Sequence, residues 1–257
     1  MLSIFDIFKV GVGPSSSHTN GPMLAGYHFT RLLNESLSKV HRVQVDLYGS
    51  LSLTGIGHHT DRAVILGLMG NRPDTIKMTS AKQALEQTLD EGSLLLADAH
   101  TIAFGYESDI VFHSDNLPLH ENGMTITAYD SFGTQLAFET YYSIGGGFIA
   151  TAAELENGGS EQSVDVPYSF TSADEMLNMA EENGFSLGGM ILQNEVCFFD
   201  ADEIDRKAEQ IWKVMSLCMQ RGFETEGILE GGLNVTRRAP NLLKKLEANE
   251  AIENDPM

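Results

Sequence analysis

The sequence predicts an α+β domain followed by an all-helical segment. Three observations carry this. Up to residue 156, strand-like alternation and helix-like spacing succeed one another, whereas from 167 onward only helical spacing remains. Between the two parts, Asn157-Gly-Gly-Ser-Glu-Gln-Ser163 has the composition of a linker. All eight histidines (positions 18, 28, 41, 58, 59, 100, 113 and 120) lie in the first 120 residues, so the parts also differ in chemistry. The expected division is 1–156 for the α+β domain, 157–166 for the linker and 167–257 for the helices.

The first few residues, 2–8, read as a short strand or helix with Ile4, Phe5, Ile7 and Phe8 turned inward. Gly11-Val-Gly-Pro-Ser-Ser-Ser-His-Thr-Asn-Gly-Pro22 is a loop, since glycine and proline break regular structure and six polar side chains then follow in a row. Thr19 or Asn20 is placed to cap a helix that takes Pro22 in its first turn, where the missing N–H costs little. Leu24, Tyr27, Leu32, Leu33 and Leu37 give that helix an apolar stripe as far as Lys39. Residues 42–48 alternate with period two, which makes a strand with Val43, Val45 and Leu47 on one face.

A second glycine- and hydroxyl-rich stretch covers 49–61, with Thr60 or Asp61 capping a helix over 62–69. A strand over 75–79, an amphipathic helix over 80–97 and a strand over 109–113 are expected next. A hairpin then pairs 124–129 with 134–141 around the turn Asp130-Ser-Phe-Gly133. In the second half, helices are expected over 173–182, 186–198, 200–221 (stopped by Gly222) and 241–252. Cys197 and Cys218 fall in helical apolar patterns and are expected in the core.

Composition narrows the function classes. A formal charge of −20, from 36 acids against 16 bases, argues against nucleic acid and against an anionic membrane surface as partners. No apolar run approaches the roughly 18–20 residues of a membrane span and no signal-peptide pattern opens the chain. The two cysteines lack CxxC spacing, so neither a disulfide framework nor a metal centre is built from them, and a reducing cytoplasm is the expected setting. The histidines lack His-x-His or His-x-x-x-His spacing, which excludes a zinc site of that kind.

The loop at 11–22 offers hydroxyl and amide donors beside one imidazole at the mouth of a helix, equipment for a small anionic or zwitterionic molecule. The competing reading is a capping loop that satisfies its own backbone. Gly57-His-His-Thr-Asp61 places two imidazoles near a carboxylate; adjacent residues cannot both face one site, so His58 is favoured as a base and Asp61 as a cap. His120 and Asn122 sit in a turn, as ligand contacts or as hairpin geometry. Ser143 to Gly147 offers a hydroxyl and glycine amides and suits either an anion nest or close packing. Arg237 and Arg238 suit a carboxylate or a structural ion pair.

Several blocks together resemble the bacterial iron–sulfur L-serine dehydratases. They are Ser3-Ile-Phe-Asp-Ile-Phe8, Gly11-Val-Gly-Pro-Ser-Ser-Ser-His-Thr19, Leu47-Tyr-Gly-Ser-Leu-Ser-Leu-Thr-Gly55 and Gly57-His-His-Thr-Asp61. Leu117-Pro-Leu-His-Glu-Asn-Gly-Met124, Tyr141-Tyr-Ser-Ile-Gly-Gly-Gly-Phe-Ile149, Arg221-Gly-Phe-Glu-Thr-Glu-Gly227 and Asn254-Asp-Pro-Met257 continue the resemblance to the end of the chain.

The resemblance implies that L-serine is converted to pyruvate and ammonia by an enzyme carrying a [4Fe–4S] cluster. Its ligands are expected beyond residue 257, so this chain would be an N-terminal portion, inactive alone and binding no cluster itself. It also implies a first domain like the allosteric substrate-binding domain of phosphoglycerate dehydrogenases. His18 and His58 are assigned to catalysis. Ser15, Ser16, Ser17, Thr19, Ser143, Gly145 and Gly146 are assigned to the catalytic pocket, and His120 and Asn122 to serine binding, at a regulatory site or at the active one. A homodimer is the expected assembly. The rival reading is a free-standing module that senses a small amino or hydroxy acid.

Overall fold

The structure, a computed structural model, describes residues 2–158, 164–229 and 234–248. The chain forms two compact units, Lys9–Glu161 and a second made of Met1–Phe8 with Gln162–Met257. The first eight residues, placed by sequence with the α+β domain, group instead with the helices. The linker read at 157–163 falls mostly outside the described residues.

The α+β unit is organised by one strand. β1 (Arg42–Leu47) lies inside a five-stranded mixed sheet of order β4-β1-β5-β6-β7. β4 (Ile110–Phe112) runs parallel to it, while β5 (Gly123–Tyr129), β6 (Gln135–Gly145) and β7 (Phe148–Thr151) form an antiparallel meander. The register Val43↔Ala128, Val45↔Ile126 and Leu47↔Met124 puts every apolar residue of β1 and β5 on one face. That face is covered by α2 (Gly21–Leu33) and α5 (Thr60–Leu68), which contribute Met23, Phe29, Leu33, Val64, Ile65 and Leu68 to one continuous core. The two helices approach so closely that a Cβ at Gly67 would collide with the Met23 carbonyl, and one at Gly26 would lie 2.5 Å from that of Val64.

The other face of β1 is polar. Arg42 donates to Asp109 at 2.6 Å, Gln44 to Asp46 at 3.0 Å, and His113 lies 2.7 Å from the second Asp46 oxygen.

Several elements differ from the sequence expectation. The stripe expected to run to Lys39 ends as α-helix at Leu33, and a 3₁₀ segment, Asn34–Lys39, completes it. The 49–61 stretch holds two short helices, α3 (Gly49–Leu53) and α4 (Gly55–His58). No strand forms at 75–79; α6 (Met78–Glu91) begins there and stops at Gly92, whose φ of +65° is a left-handed cap. The residues expected to extend this helix form β2 (Ser93–Leu96), paired with β3 (His100–Ala103) in a separate two-stranded sheet. α7 (Tyr106–Asp109) precedes β4, and α8 (Ala152–Glu156) follows β7.

The second unit is helical. α1 (Ile4–Ile7) has Ser3 as its N-cap, and Ile7 and Phe8 are exposed rather than inward. α9 (Ala173–Glu182), α10 (Leu187–Glu195), α11 (Ala201–Glu224) and α12 (Ala239–Ala248) follow. Gly222 does not stop α11, which continues to Glu224. Cys197 and Cys218 are exposed, correcting their placement in the core. Glu195 is buried and takes two hydrogen bonds from the N-terminus, from Ser3 Oγ at 2.7 Å and from the Ile4 amide at 2.8 Å. Among the described residues no helix is long and apolar enough to cross a membrane.

Candidate active site

One end of the five-stranded sheet gathers most of the polar residues singled out by sequence. β1 finishes there, β5 starts, β6 reaches Ser143, and α2 begins at Gly21. The loop before α2 is a tight π-helical turn, Ser16–Asn20, opened by Ser15, whose hydroxyl accepts from the His18 amide at 3.2 Å. Neither Thr19 nor Asn20 caps α2. Asn20 accepts instead from the Val12 amide at 2.9 Å, and Thr19 donates to the His58 carbonyl at 3.0 Å. In return Thr60 donates to the His18 carbonyl at 2.7 Å. These reciprocal bonds bring the His18 and His58 rings to 4.9 Å between centroids.

The two imidazoles have different surroundings. His18 lies between two hydroxyls, Nδ1 to Ser17 at 2.8 Å and Nε2 to Ser50 at 2.9 Å. Burial lowers its pKa below the ordinary 6.5, and the neighbouring His58 lowers it further, against smaller raising effects from Ser50 and Glu121. His18 is therefore neutral at pH 7. His58 Nδ1 lies 3.0 Å from the Thr54 carbonyl. A carbonyl can only accept, so Nδ1 carries a proton, and the neutral form of the ring has its lone pair on Nε2.

Ser50 was not singled out by sequence, although it lies in the glycine-and-hydroxyl block after β1. It is held by its own amide donating to Glu121 O at 3.0 Å, and Gly49 donates likewise to Asp115 O at 2.9 Å. At the same strand end Tyr48 stacks on His113, with centroids 4.4 Å apart and planes within 6°.

Asn122 and Ser143 form one unit across β5 and β6. The Ser143 amide donates to the Asn122 carbonyl at 2.9 Å, and Asn122 Nδ2 donates to the Ser143 carbonyl at 3.2 Å. Asn122 Oδ1 and Ser143 Oγ are both buried without a partner among the described residues. The hydroxyl lies against α2: a Cβ at Gly21 would collide with it, so only glycine fits there. His120 Nδ1 accepts from the Asn122 amide at 3.0 Å, which leaves its Nε2 as the protonated nitrogen of the neutral ring. Gly145, Gly146 and Gly147 all have positive φ and make the tight β6–β7 turn. Ser16 is exposed on the loop surface.

Asp61 does not cap α5. His59 holds that position with a left-handed φ of +57°, and Asp61 is buried in the first turn, accepting from the Tyr106 hydroxyl at 2.5 Å. Tyr106 and Thr60 carried no sequence signal of their own beyond turn chemistry. Among the described residues no group of three or more His, Cys, Asp or Glu could hold a metal ion.

The family model described as serine dehydratase beta chain matches residues 3–154. L-serine dehydratase 1 of Escherichia coli is 47% identical over all of this chain, which covers 57% of that protein. The L-serine dehydratase of Streptomyces coelicolor is 44% identical over 99% of the chain and 56% of its own length. That of Helicobacter pylori J99 is 39% identical, with the whole chain covering 56% of it. The chain thus spans a little over half the length of these relatives. With the matched region running through every loop that builds the imidazole site, the chain belongs to the serine dehydratase beta chain family.

Proposed function

We propose that this chain supplies the substrate-handling half of an enzyme that dehydrates L-serine to pyruvate and ammonia. The observation that carries the reading is the His18–His58 pair. One ring is kept neutral between two serine hydroxyls, and the other has its tautomer set by a backbone carbonyl so that Nε2 is open. Dehydration needs a group that takes the Cα proton, and an oriented neutral imidazole does that near pH 7. His58 Nε2 is assigned as that base and His18 as its partner, held in place by Ser17 and Ser50.

Asn122 Oδ1 is an acceptor suited to the substrate ammonium. Ser143 Oγ is a donor suited to its carboxylate, as is the protonated Nε2 of His120. The shared Asn122–Ser143 bonds favour one serine site for His120, Asn122 and Ser143 over a separate regulatory one. Ser15 and Thr19 serve the site by shaping its loop through His18 N and His58 O.

In the complete enzyme a [4Fe–4S] cluster would act as Lewis acid on the β-hydroxyl. The residues described here do not fit it: Cys197 and Cys218 are exposed and no cluster of metal ligands exists among them, so no step is derived through that group. On this reading its ligands, the rest of the helical domain and a second copy of the protein come from the complete enzyme. The likeness of the first unit to the substrate-binding domain of phosphoglycerate dehydrogenases belongs to the same proposal. A free-standing sensing module is not favoured, because the relatives are named as dehydratases over the full length of this chain.

The test is pyruvate formation from L-serine by the complete protein and by its His58→Ala variant. Loss of about 10²–10⁴ in kcat is expected for removal of a general base. An unchanged kcat would refute the assignment of His58.

A further inference from the structure

Between α4 and α5 the backbone turns at His59, a non-glycine residue with φ of +57°. Such a conformation is strained for a residue with a side chain and persists only where both flanks are held. Two of the ties here, Thr19 to His58 O and Thr60 to His18 O, run only between the two imidazole-bearing segments. They fasten the end of α4 and the first residue of α5 to the turn that leads into α2.

The third tie runs to α7. Asp61, the second residue of α5, accepts from the hydroxyl of Tyr106 on α7 at 2.5 Å. We propose that Asp61, gripped by Tyr106, is a positioning residue for the imidazole pair: a buried latch that holds the left-handed turn at His59 and so steadies the ring separation that Thr19 and Thr60 set.

An aspartate that merely complemented the α5 dipole would sit in water, where the first turn of a helix usually keeps its acids. Asp61 is only 4% exposed, and its Oδ1 is buried with no partner among the described residues. Among those residues the phenol is its one side-chain donor. Burial first, and then the bond to Asp61, push the Tyr106 phenol well up, so it remains a donor across the neutral range. Without that donor, Asp61 would be a buried carboxylate with neither oxygen bonded, an arrangement proteins relieve by exposing the group. The first turn of α5 is then drawn toward water about the strained His59 against the single Thr60–His18 bond, and His58 shifts with it.

The rate readout of this inference rests on the proposed dehydratase reading; a spectroscopic readout does not. His18 reports the spacing directly, because part of its lowered titration comes from His58. In the complete protein with ¹³C-labelled histidine, Tyr106→Phe is expected to move the His18 midpoint up toward the ordinary 6.5. It should also lower kcat for L-serine by about tenfold or more with KM within about twofold, as misplacement of a reacting group does. Asp61→Leu should match it, and Asp61→Asn, which keeps an oxygen for the phenol, should recover most of the loss.

An unchanged His18 midpoint in a folded Tyr106→Phe protein would overturn the inference. Should that variant not fold, the double variant Tyr106→Phe/Asp61→Asn removes the latch together with the buried charge. The same upward shift is expected there, and its absence is equally decisive. If the wild-type protein forms no pyruvate, the dehydratase reading fails while the His18 titration still decides the role of Asp61.

Discussion

The two units are built on opposite plans. In Lys9–Glu161 a sheet face and two helices close on one another, and nearly all the buried apolar residues lie there. In the helical unit only Ala180, Met190 and Ile204 are buried hydrophobics among the described residues. α11 is 24 residues long yet buries only Ile204, while Trp212, Met215, Leu217, Met219 and Phe223 on it are exposed. One unit finishes its own core; the other displays an apolar helix face that a finished domain would cover. The polar residues proposed to handle chemistry sit on the self-sufficient unit, where a rigid scaffold can hold their geometry.

The contrast is broken most violently at the α2–α5 contact. Gly67→Leu drives a side chain into the Met23 carbonyl, which cannot retreat without parting the helices. The expected cost is at or above about 3 kcal/mol, the upper end of ordinary overpacking. A urea midpoint shift in circular dichroism confined to the α+β unit would confirm it, and tolerance of leucine would show the helices to be less tightly joined. The nearest equivalent in the helical unit is polar. Glu195→Ala strips the partners from Ser3 Oγ and the Ile4 amide, for an expected loss of about 1–3 kcal/mol. Glu195→Gln, which keeps an acceptor, should lose less.

Titration separates the units next. All eight histidines lie in the α+β unit, so any change in histidine charge acts on that unit alone. The pKa of His18 is lower in the folded chain than its ordinary 6.5, so the unfolded state binds the proton first as pH falls. Stability from this group is full above 6.5 and is lost as pH drops through 6.5 toward the lower folded value. Urea midpoints of the α+β unit at pH 7 and pH 5 should fall accordingly, and His18→Gln should flatten that part of the slope. The same depression keeps the His18 ring neutral, so on the proposed reading any part of the acid limb of kcat/KM that His18 sets is expected below pH 6.5.

A smaller effect with the opposite sign belongs to Ser143. Its hydroxyl is buried and unpartnered, so Ser143→Ala removes a group that costs the ligand-free fold. The Tm of the chain should hold or rise by up to about 1 kcal/mol equivalent. On the proposed reading, the complete protein should bind L-serine more weakly. A fall in Tm would show that the hydroxyl is bonded within the fold.

Much of this was legible in the residues and some was not, for physical reasons. β1 and β5 announce themselves because each alternates apolar residues on the core face with polar ones on the other, so period two survives in the sequence. β2 does not: Ser93-Leu-Leu-Leu96 has no alternation, continues the apolar content of α6, and is set apart only by Gly92. Helices α3 and α4 were hidden because their glycines and hydroxyls read as loop, and tertiary anchoring of Gly49 and Ser50 to residues 115 and 121 overrides that propensity. His18 and His58 could be singled out as chemistry, but not their ring separation, which depends on Thr19 and Thr60 reaching across 39 and 42 residues. The cysteines misled because a helical apolar stripe does not reveal whether anything covers it.

The least disturbance is expected at the centre of that uncovered stripe. Trp212 is 63% exposed on α11, so Trp212→Ser removes little packing and should change the stability of this chain by less than about 0.5 kcal/mol. Solubility should rise, since an exposed apolar seam is lost. The same substitution in the complete protein measures whether the seam is used. A residue packed into a domain core loses about 3 kcal/mol or more when an indole is truncated. A small effect in the chain with a large one in the complete protein would show that α11 meets its partner surface only there. Equal small effects would mean that the exposed face is a true exterior. A large effect in the chain alone would mean that the helical unit is as self-sufficient as its neighbour.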